Sequence, residues 1–489
     1  MSATIDVDVL VIGAGPAGLN AALDLRRHGL SVLVADENPQ AGGQFLRAAG
    51  NSPLDDAQVH ALFGADYAAG KDLIAAFAAS GAVFLPRTRV WQIGAEEEHA
   101  SDGDRAAPAP GSSQGSPFAR LAFLAGPPGA ASPGAVRARF VVLAGGAMER
   151  PYPLPGWTTP GAMSVGGAQI LLKGSGLLPP RDAVLIGSGP LVYQFSWQVI
   201  AAGGTLQAIV ETHGARSPRR LLAALPAALA APAPLWRGAR WLMALRRRGV
   251  RFIRHAGAIR LLGDERIVGA SLIADGHQRT LATSCVLLHA GLIGETRLAA
   301  ALGAEIVWSV AQQDWQPRRD IWQQSSLPGV FIAGDGGGIV GAGAASISGR
   351  LAALEITRQA GRISAVQRDE LAGPLLRTWR RALAVRPFLD ALYPPPRDCF
   401  APADDAVVCR CEGVTAAQIR AAAHLGADGP NQIKAYTRAG MGPCQGRQCA
   451  CITAALAAAV GARDIAQIEP LRARFPVKPV TLGEVADSV

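Results

Sequence analysis

The chain has 489 residues, 49% hydrophobic and 17% charged, with a net charge of +9 and a sequence pI near 9.6, which is length for two or three domains and apolar content for a large core. The positive charge could suit nucleic acid, but the arginines are dispersed and no nucleic-acid module pattern occurs, which favours a solvated surface with contacts to an acidic partner. The first eight residues carry acids and no basic-then-apolar leader, and residues 221–236 are too short and too broken by Pro226, Pro232 and Pro234 to span a bilayer; a cytoplasmic protein is expected, touching a membrane only through a complex.

Residues 7–12 form a nearly continuous apolar run, the pattern of a buried parallel strand. The run enters Gly13-Ala-Gly15-Pro16-Ala17-Gly18, then an amphipathic helix over 19–27 ended by Gly29, then a strand over 31–35 closing on Asp36 and Glu37. Strand, glycine turn, helix, strand and acid together predict a dinucleotide site. Gly13 permits the tight turn, Gly15 lets a pyrophosphate approach, and Gly18 lets the helix pack on the strand. Asp36, 23 residues after Gly13, is placed for the adenosine ribose.

Residues 88–93, 118–124 and 136–143 read as a β-meander, with a polar loop over 96–116. Residues 149–157, Glu-Arg-Pro-Tyr-Pro-Leu-Pro-Gly-Trp, are a rigid crossing into a second unit. There a strand over 183–186, the turn Gly187-Ser-Gly189 and a strand over 206–210 ending in Glu211 repeat the first fingerprint. Tyr193 is read at the third-glycine place, where its bulk would hold helix off strand, leaving a choice between a vestigial scaffold and a second nucleotide site. Residues 216–255 are strongly basic, with Trp236, Trp241, Leu242 and Leu245 on one apolar side: a helical pair that covers the second unit or docks a partner.

Residues 328–335 end a strand in Gly334-Asp335, before a glycine-rich turn and a helix from about 344. A linker with four prolines covers 393–405, and an extended tail, 472–484, packs back or binds a partner. Between them lie five of the seven cysteines: Cys409, Cys411, Cys444, Cys449 and Cys451. Paired cysteines in short loops suit a soft metal centre, iron–sulfur or zinc. The single residue between Cys409 and Cys411 is tight for structural zinc, and an inert thiol group is the bland alternative. The expected ligands are Cys409, Cys411, Cys444 and Cys449, with Cys451 nearby but unbonded. Thr415 to Gln418 is a capping box that starts a helix, and residues 452–460 read as a second one beginning beside Cys449.

No Cys-x-x-Cys lies in the first two units, Cys285 is expected buried and inert, and Cys399 stands isolated. The eight histidines show no metal spacing, and no residue stands out as a base for removing a substrate proton.

Gly42-Gly43-Gln44 after the acid, Gly145 in an Ala-Gly-Gly motif after the strand over 140–144, and Gly334-Asp335 resemble the motifs of two-dinucleotide-domain flavoproteins. The resemblance implies FAD, held by Gly13, Gly15, Pro16, Ala17, Gly18, Asp36, Glu37, Gly43, Gln44, Gly145, Gly334 and Asp335. Cys-x-Cys followed by Gly-Met-Gly-x-Cys-Gln-Gly-x-x-Cys is similar to the bacterioferritin-associated ferredoxin type of 2Fe–2S domain, with a wider second pair. Glu149-Arg-Pro, Pro155-Gly-Trp157, residues 166–173 and Gly187-Ser-Gly-Pro190 extend the likeness over almost the whole chain. It resembles the α (A) subunits of opine oxidase, hydrogen cyanide synthase and D-hydroxyproline dehydrogenase.

The implied fold is α/β: an FAD domain over 1–155 and 301–392, an inserted second Rossmann-like domain over 156–300, the linker, a small helical 2Fe–2S domain over 406–463, and a tail over 464–489. In that family a β subunit with its own flavin oxidises an amine or imino acid, and a small ferredoxin-like subunit can join it. This chain would relay the electrons between FAD and cluster. A stand-alone NAD(P)H-dependent flavoprotein ferredoxin reductase and a non-catalytic scaffold are the competing readings.

Overall fold

The computed structural model describes residues 4–95, 120–126, 134–212, 214 and 216–488. The loop expected at 96–116, and the first two residues of the strand expected at 118–124, lie outside the described residues.

The first unit is a sheet with helices on it. Strand β1 (Thr4–Ile12) leads into α1 (Pro16–Arg27) and β2 (Val32–Ala35). Three short helices follow, α2 (Asp56–Phe63), α3 (Ala65–Ala68) and α4 (Gly70–Ala78), then β3 (Val83–Leu85), β4 (Arg89–Ala95), β5 (Arg120–Ala125) and β6 (Ala135–Leu143). The order β3-β2-β1-β6-β5-β4 has parallel β3, β2, β1 and β6, with β4 and β5 returning antiparallel as the expected meander. Val9, Leu10 and Val11 are wholly buried, as a strand covered on both faces requires.

The chain then crosses through β7 (Ala147–Glu149) and β8 (Ala162–Ser164) to α5 (Val165–Ser175), β9 (Val184–Gly187), α6 (Pro190–Ala201) and β10 (Ala208–Glu211). The basic stretch forms α7 (Pro218–Leu229) and α8 (Ala233–Arg247), followed by β11 (Phe252–Ile253). Strands β12 (Gly257–Leu262), β13 (Gly269–Ala274) and β14 (His277–Ala282) make an antiparallel sheet before β15 (Val286–His289). The second parallel sheet runs β11-β10-β9-β15-β8, and Cys285 packs into its core, as expected. Counted from Gly187, the third-glycine place falls on Val192, one residue before Tyr193, which corrects the sequence reading. Val192 is fully buried against this core, and Tyr193 turns its ring toward Glu211.

The return passes β16 (Leu292–Gly294), paired with β7, then α9 (Arg297–Ala301) and the hairpin β17 (Ile306–Ser309) and β18 (Asp314–Pro317). Strand β19 (Val330–Ile332) joins the first sheet on β6, and α10 (Ala342–Gln359) crosses α1. A Cβ on Gly349 would lie 2.0 Å from the Ala17 carbonyl oxygen, so only glycine allows this crossing. Helices α11 (Ala365–Ala384) and α12 (Arg386–Leu392) precede the proline linker. The linker is packed, with Cys399 buried beside Tyr152 and Leu154.

Strands β20 (Val407–Cys409) and β21 (Val414–Thr415) and helices α13 (Ala416–His424), α14 (Pro430–Thr437) and α15 (Ala450–Val460) share a core of Val408, Ile419, Ile433, Ile452 and Leu456. The Thr415–Gln418 capping box forms as expected. Ala454 and Ala458, on another side of α15, pack with Trp315 of β18, so small residues seat this unit on the first one. The tail returns over the first sheet and ends in α16 (Leu482–Ser488). Among the described residues no helix is long and apolar enough to cross a membrane.

Candidate functional site

Four loops meet at the carboxyl ends of β1, β6 and β19. A Cβ on Gly13, whose φ is +106°, would lie 2.4 Å from the Ala144 oxygen. One on Gly18 would lie 1.9 Å from the Gly13 oxygen, and one on Gly43 would lie 2.9 Å from the Gly15 Cα. The loops therefore touch backbone to backbone, and the Gly42 N–H donates to the Ala14 oxygen at 2.7 Å. Helix α1 starts at Pro16 with no side-chain cap, leaving its first N–H groups for an anion. Pro16 and Ala17 thus form the first turn, and a Cβ on Gly334 would meet Ala17 Cβ at 3.0 Å.

Asp36 is buried at the end of β2. Its Oδ2 accepts from the Ala14 N–H at 2.6 Å and its Oδ1 from the Asn38 N–H at 2.7 Å, so it braces the glycine loop as well as facing it. Glu37 pairs with Lys478 of the tail. The Gln44 side-chain oxygen accepts from Arg47 at 3.0 Å. Asp335 accepts from the N–H groups of Val340 and Gly341 at 2.8 and 2.9 Å, fixing the turn into α10. Arg319 lies under that turn, donating to the Ile332 oxygen at 2.9 Å, and burial pulls its guanidinium down to about 10. Together these loops bring backbone N–H groups, a buried carboxylate at the end of β2 and a glycine-lined floor to one place, the features a dinucleotide site requires.

The second glycine loop is engaged differently. A Cβ on Gly187 would lie 2.1 Å from the His289 oxygen, the same close approach as at Gly13. Glu211, which holds the place of Asp36, already accepts the Tyr193 hydroxyl at 2.7 Å and has Arg254 at 3.4 Å. Burial, then the charge of Glu211, push the Tyr193 hydroxyl well up, so it remains a donor. His289 pairs with Glu149 at 2.7 Å, and Glu149 accepts the Gly166 N–H at 2.7 Å.

Among the described residues no three His, Cys, Asp or Glu side chains gather to hold a single metal ion. The cysteines meet as two pairs. Cys449 bonds Cys409, and Cys444 bonds Cys411 through both backbone and thiol. Cys449 also feels the charges of Cys411 and Cys444, so the pairs are neighbours. Two thiols for each of two irons fit a 2Fe–2S centre better than one zinc. Cys409 is held down to about 6 by the Cys449 thiol and by the N–H groups of Gly440, Glu412 and Cys411, against its burial. A Cβ on Gly442 would lie 2.3 Å from Cys411 Cβ, which is why this loop needs glycine.

Cys451 points elsewhere. Its sulfur is 3.9 Å from Arg150 Nη1 and 4.0 Å from the Gln313 oxygen, and burial pushes it up to about 12. Cys399 also lies by Arg150, which corrects its reading as isolated. Burial raises Asp314 to about 6 against the pull of Arg150, and its Oδ2 accepts the Gly294 N–H at 3.2 Å.

One bridge joins the two regions. Glu295 Cγ is 3.2 Å from the Cβ place of Gly145, and both its oxygens accept from Arg297 at 2.8 Å. Arg297 Nη1 also donates to the Cys444 oxygen at 2.8 Å and to the Val477 oxygen at 3.0 Å. Sequence reading missed Glu295, Arg297, Asp314, Arg319 and Lys478, because no local motif carries them, and it took Arg150 only as part of the 149–157 crossing.

A family model described as pyridine nucleotide-disulphide oxidoreductase matches residues 7–349, and one described as sarcosine oxidase A3 domain matches residues 404–488. The opine oxidase A subunit of Rhizobium meliloti (strain 1021) is 42% identical over 99% of both chains. The HcnB subunit of hydrogen cyanide synthase from Pseudomonas aeruginosa is 30% identical over 96% of both. Among solved structures, L-proline dehydrogenase from P. horikoshii shares the fold with TM-score 0.69 at 17% identity, covering 99% of this chain and 80% of that one.

Proposed function

The chain belongs to the pyridine nucleotide-disulphide oxidoreductase family and, within it, with the A subunits of opine oxidases, and on that premise we propose how its residues serve electron transfer. It is the electron-transferring subunit of a heteromeric FAD-dependent amine dehydrogenase, an oxidoreductase acting on CH–NH donors. The FAD is held by Gly13, Gly15, Pro16, Ala17, Gly18, Asp36, Gly43, Gln44, Gly145, Gly334 and Asp335, with Glu37 beside the site in its ion pair with Lys478, and a 2Fe–2S cluster by Cys409, Cys411, Cys444 and Cys449. A flavin exchanges electrons singly or in pairs and a 2Fe–2S centre singly, so the two together divide a hydride equivalent.

The observation that carries this reading is the Glu295–Arg297 bridge. The Glu295 N–H donates to the Gly146 oxygen at 2.9 Å, and Arg297 joins the Glu295 carboxylate to the Cys444 carbonyl by hydrogen bonds of 2.8 Å, so the Gly145 loop and the Cys444 loop share one support. The chain's own task is to hold both groups close, exclude water from the gap and set the charge around it. Chemistry on an opine, D-hydroxyproline or glycine-type amine belongs to a flavin-bearing β partner, and a small ferredoxin-like protein is a further companion. The engagement of Glu211 by Tyr193 supports a second unit that acts as scaffold and not as an NAD(P)H site.

The test is purification of the chain alone and with its co-purifying flavoprotein. Alone it should be yellow-brown, fail to dehydrogenate amines and show no rapid flavin bleaching by NADH. Full turnover should need the partner. An isolated chain that oxidises an imino acid at full rate overturns this reading.

Arg297→Met should retain both cofactors yet lower the potential of the cluster, because a buried positive charge beside Cys444 favours the reduced form. An EPR-monitored redox titration reads the shift, and an unmoved midpoint would remove Arg297 from this role.

A further inference from the structure

A lysine from the far end of the chain reaches the acids that follow β2. Lys478 ion-pairs with Glu37, and its side chain is only 19% exposed. Asp36 adds attraction, against the burial that pulls the ammonium down to about 8. Its position is fixed from both sides. The Val477 N–H donates to the Trp91 oxygen at 3.2 Å, and the Val477 oxygen accepts from Arg297 at 3.0 Å. The Pro479 oxygen accepts from Arg89 at 2.9 Å, and Arg89 also pairs with Glu484 at 2.5 Å. Val477 itself is buried in the same core as Leu10, Leu33 and Val330. A strap that begins after the cysteine-bearing unit is thus built into the first sheet and delivers one cation to the adenosine end of the dinucleotide site.

We propose that this strap is a wall of the FAD site and that Lys478 is a nucleotide-retaining residue. The inference rests on the FAD reading above. FAD brings a pyrophosphate with two negative charges. Asp36 is occupied in bracing the glycine loop through Ala14 and Asn38. Glu37 has no such structural duty, and left alone it would set another negative charge at the same end of the nucleotide. Lys478 cancels that charge in a partly buried setting, where screening is weak. The same strap is bonded to Arg297, which holds the Cys444 loop, so nucleotide retention and the seating of the cysteine-bearing unit share a support.

The experiment strips FAD from the full chain and measures its rebinding by fluorescence quenching. Lys478→Gln should raise the FAD Kd roughly tenfold, while Lys478→Arg should stay within about twofold of wild type. The double variant Glu37→Gln/Lys478→Gln should return to near the wild-type Kd, because it removes the charge that Lys478 cancels. Iron content and circular dichroism are read in parallel, and the double variant, which lacks the same lysine, reports whether its loss alone misfolds the strap. Wild-type Kd in Lys478→Gln, or no recovery in the double variant, overturns the inference. A wild-type chain that takes up no FAD overturns the flavin reading and this inference with it.

Discussion

Cys409→Ser is expected to abolish the reduced-cluster EPR signal and remove nearly all bound iron while leaving the flavin spectrum intact. Cys409 is the thiol most prepared to act as a thiolate: three backbone N–H groups and the Cys449 thiol converge on it and hold it near 6. A serine hydroxyl is a harder donor that stays protonated at neutral pH, so the soft iron centre loses both charge and covalency. The damage should stay local, since Cys409 lies in the core of the cysteine-bearing unit, apart from the glycine loops. Cys451→Ser is the matched control. Its sulfur faces Arg150 and Gln313, so iron should be retained. Loss of iron in Cys451→Ser together with retention in Cys409→Ser would show that the ligand set is wrong.

The sequence made the local motifs legible because each is a short run whose residues do one job together. The strand–glycine–helix–acid unit at Gly13 to Asp36 appears as read, since the close approach at Gly18 is to Gly13 and Val11, a few residues back in the chain. The cysteine loops were legible for the same reason. The second fingerprint is off by one residue: Tyr193 is conspicuous, but Val192 stands at the third-glycine place and is fully buried. The bridge through Glu295 and Arg297, and the reach of Lys478 to Glu37, were invisible because their partners lie far apart in the chain and show no periodicity. Cys399 looked isolated for that reason too, although the packed linker brings it to Arg150. Pairings between distant segments follow from how the units dock, and docking depends on small surfaces such as Ala454 and Ala458 against Trp315.

Gly18→Val should yield a chain that folds its cysteine-bearing unit, binds iron and holds almost no FAD. The place for a Cβ at Gly18 is 1.9 Å from the Gly13 oxygen and 3.2 Å from Val11 Cγ1, and the nearer clash is with backbone that cannot rotate away. Either α1 lifts from β1 or the Gly13 turn opens. Both movements spoil the N–H groups that an approaching pyrophosphate needs, and a loss of about 3 kcal/mol already means more than a hundredfold in Kd. Lifting α1 also strains its crossing with α10, where a Cβ on Gly349 would sit 2.0 Å from the Ala17 oxygen and no slack exists. A lower melting temperature should therefore accompany the loss of flavin. Iron and the EPR signal should persist, because that unit has its own core in Ile419, Ile433 and Leu456. Wild-type flavin content after gel filtration of Gly18→Val would mean that the nucleotide lies somewhere other than this glycine loop.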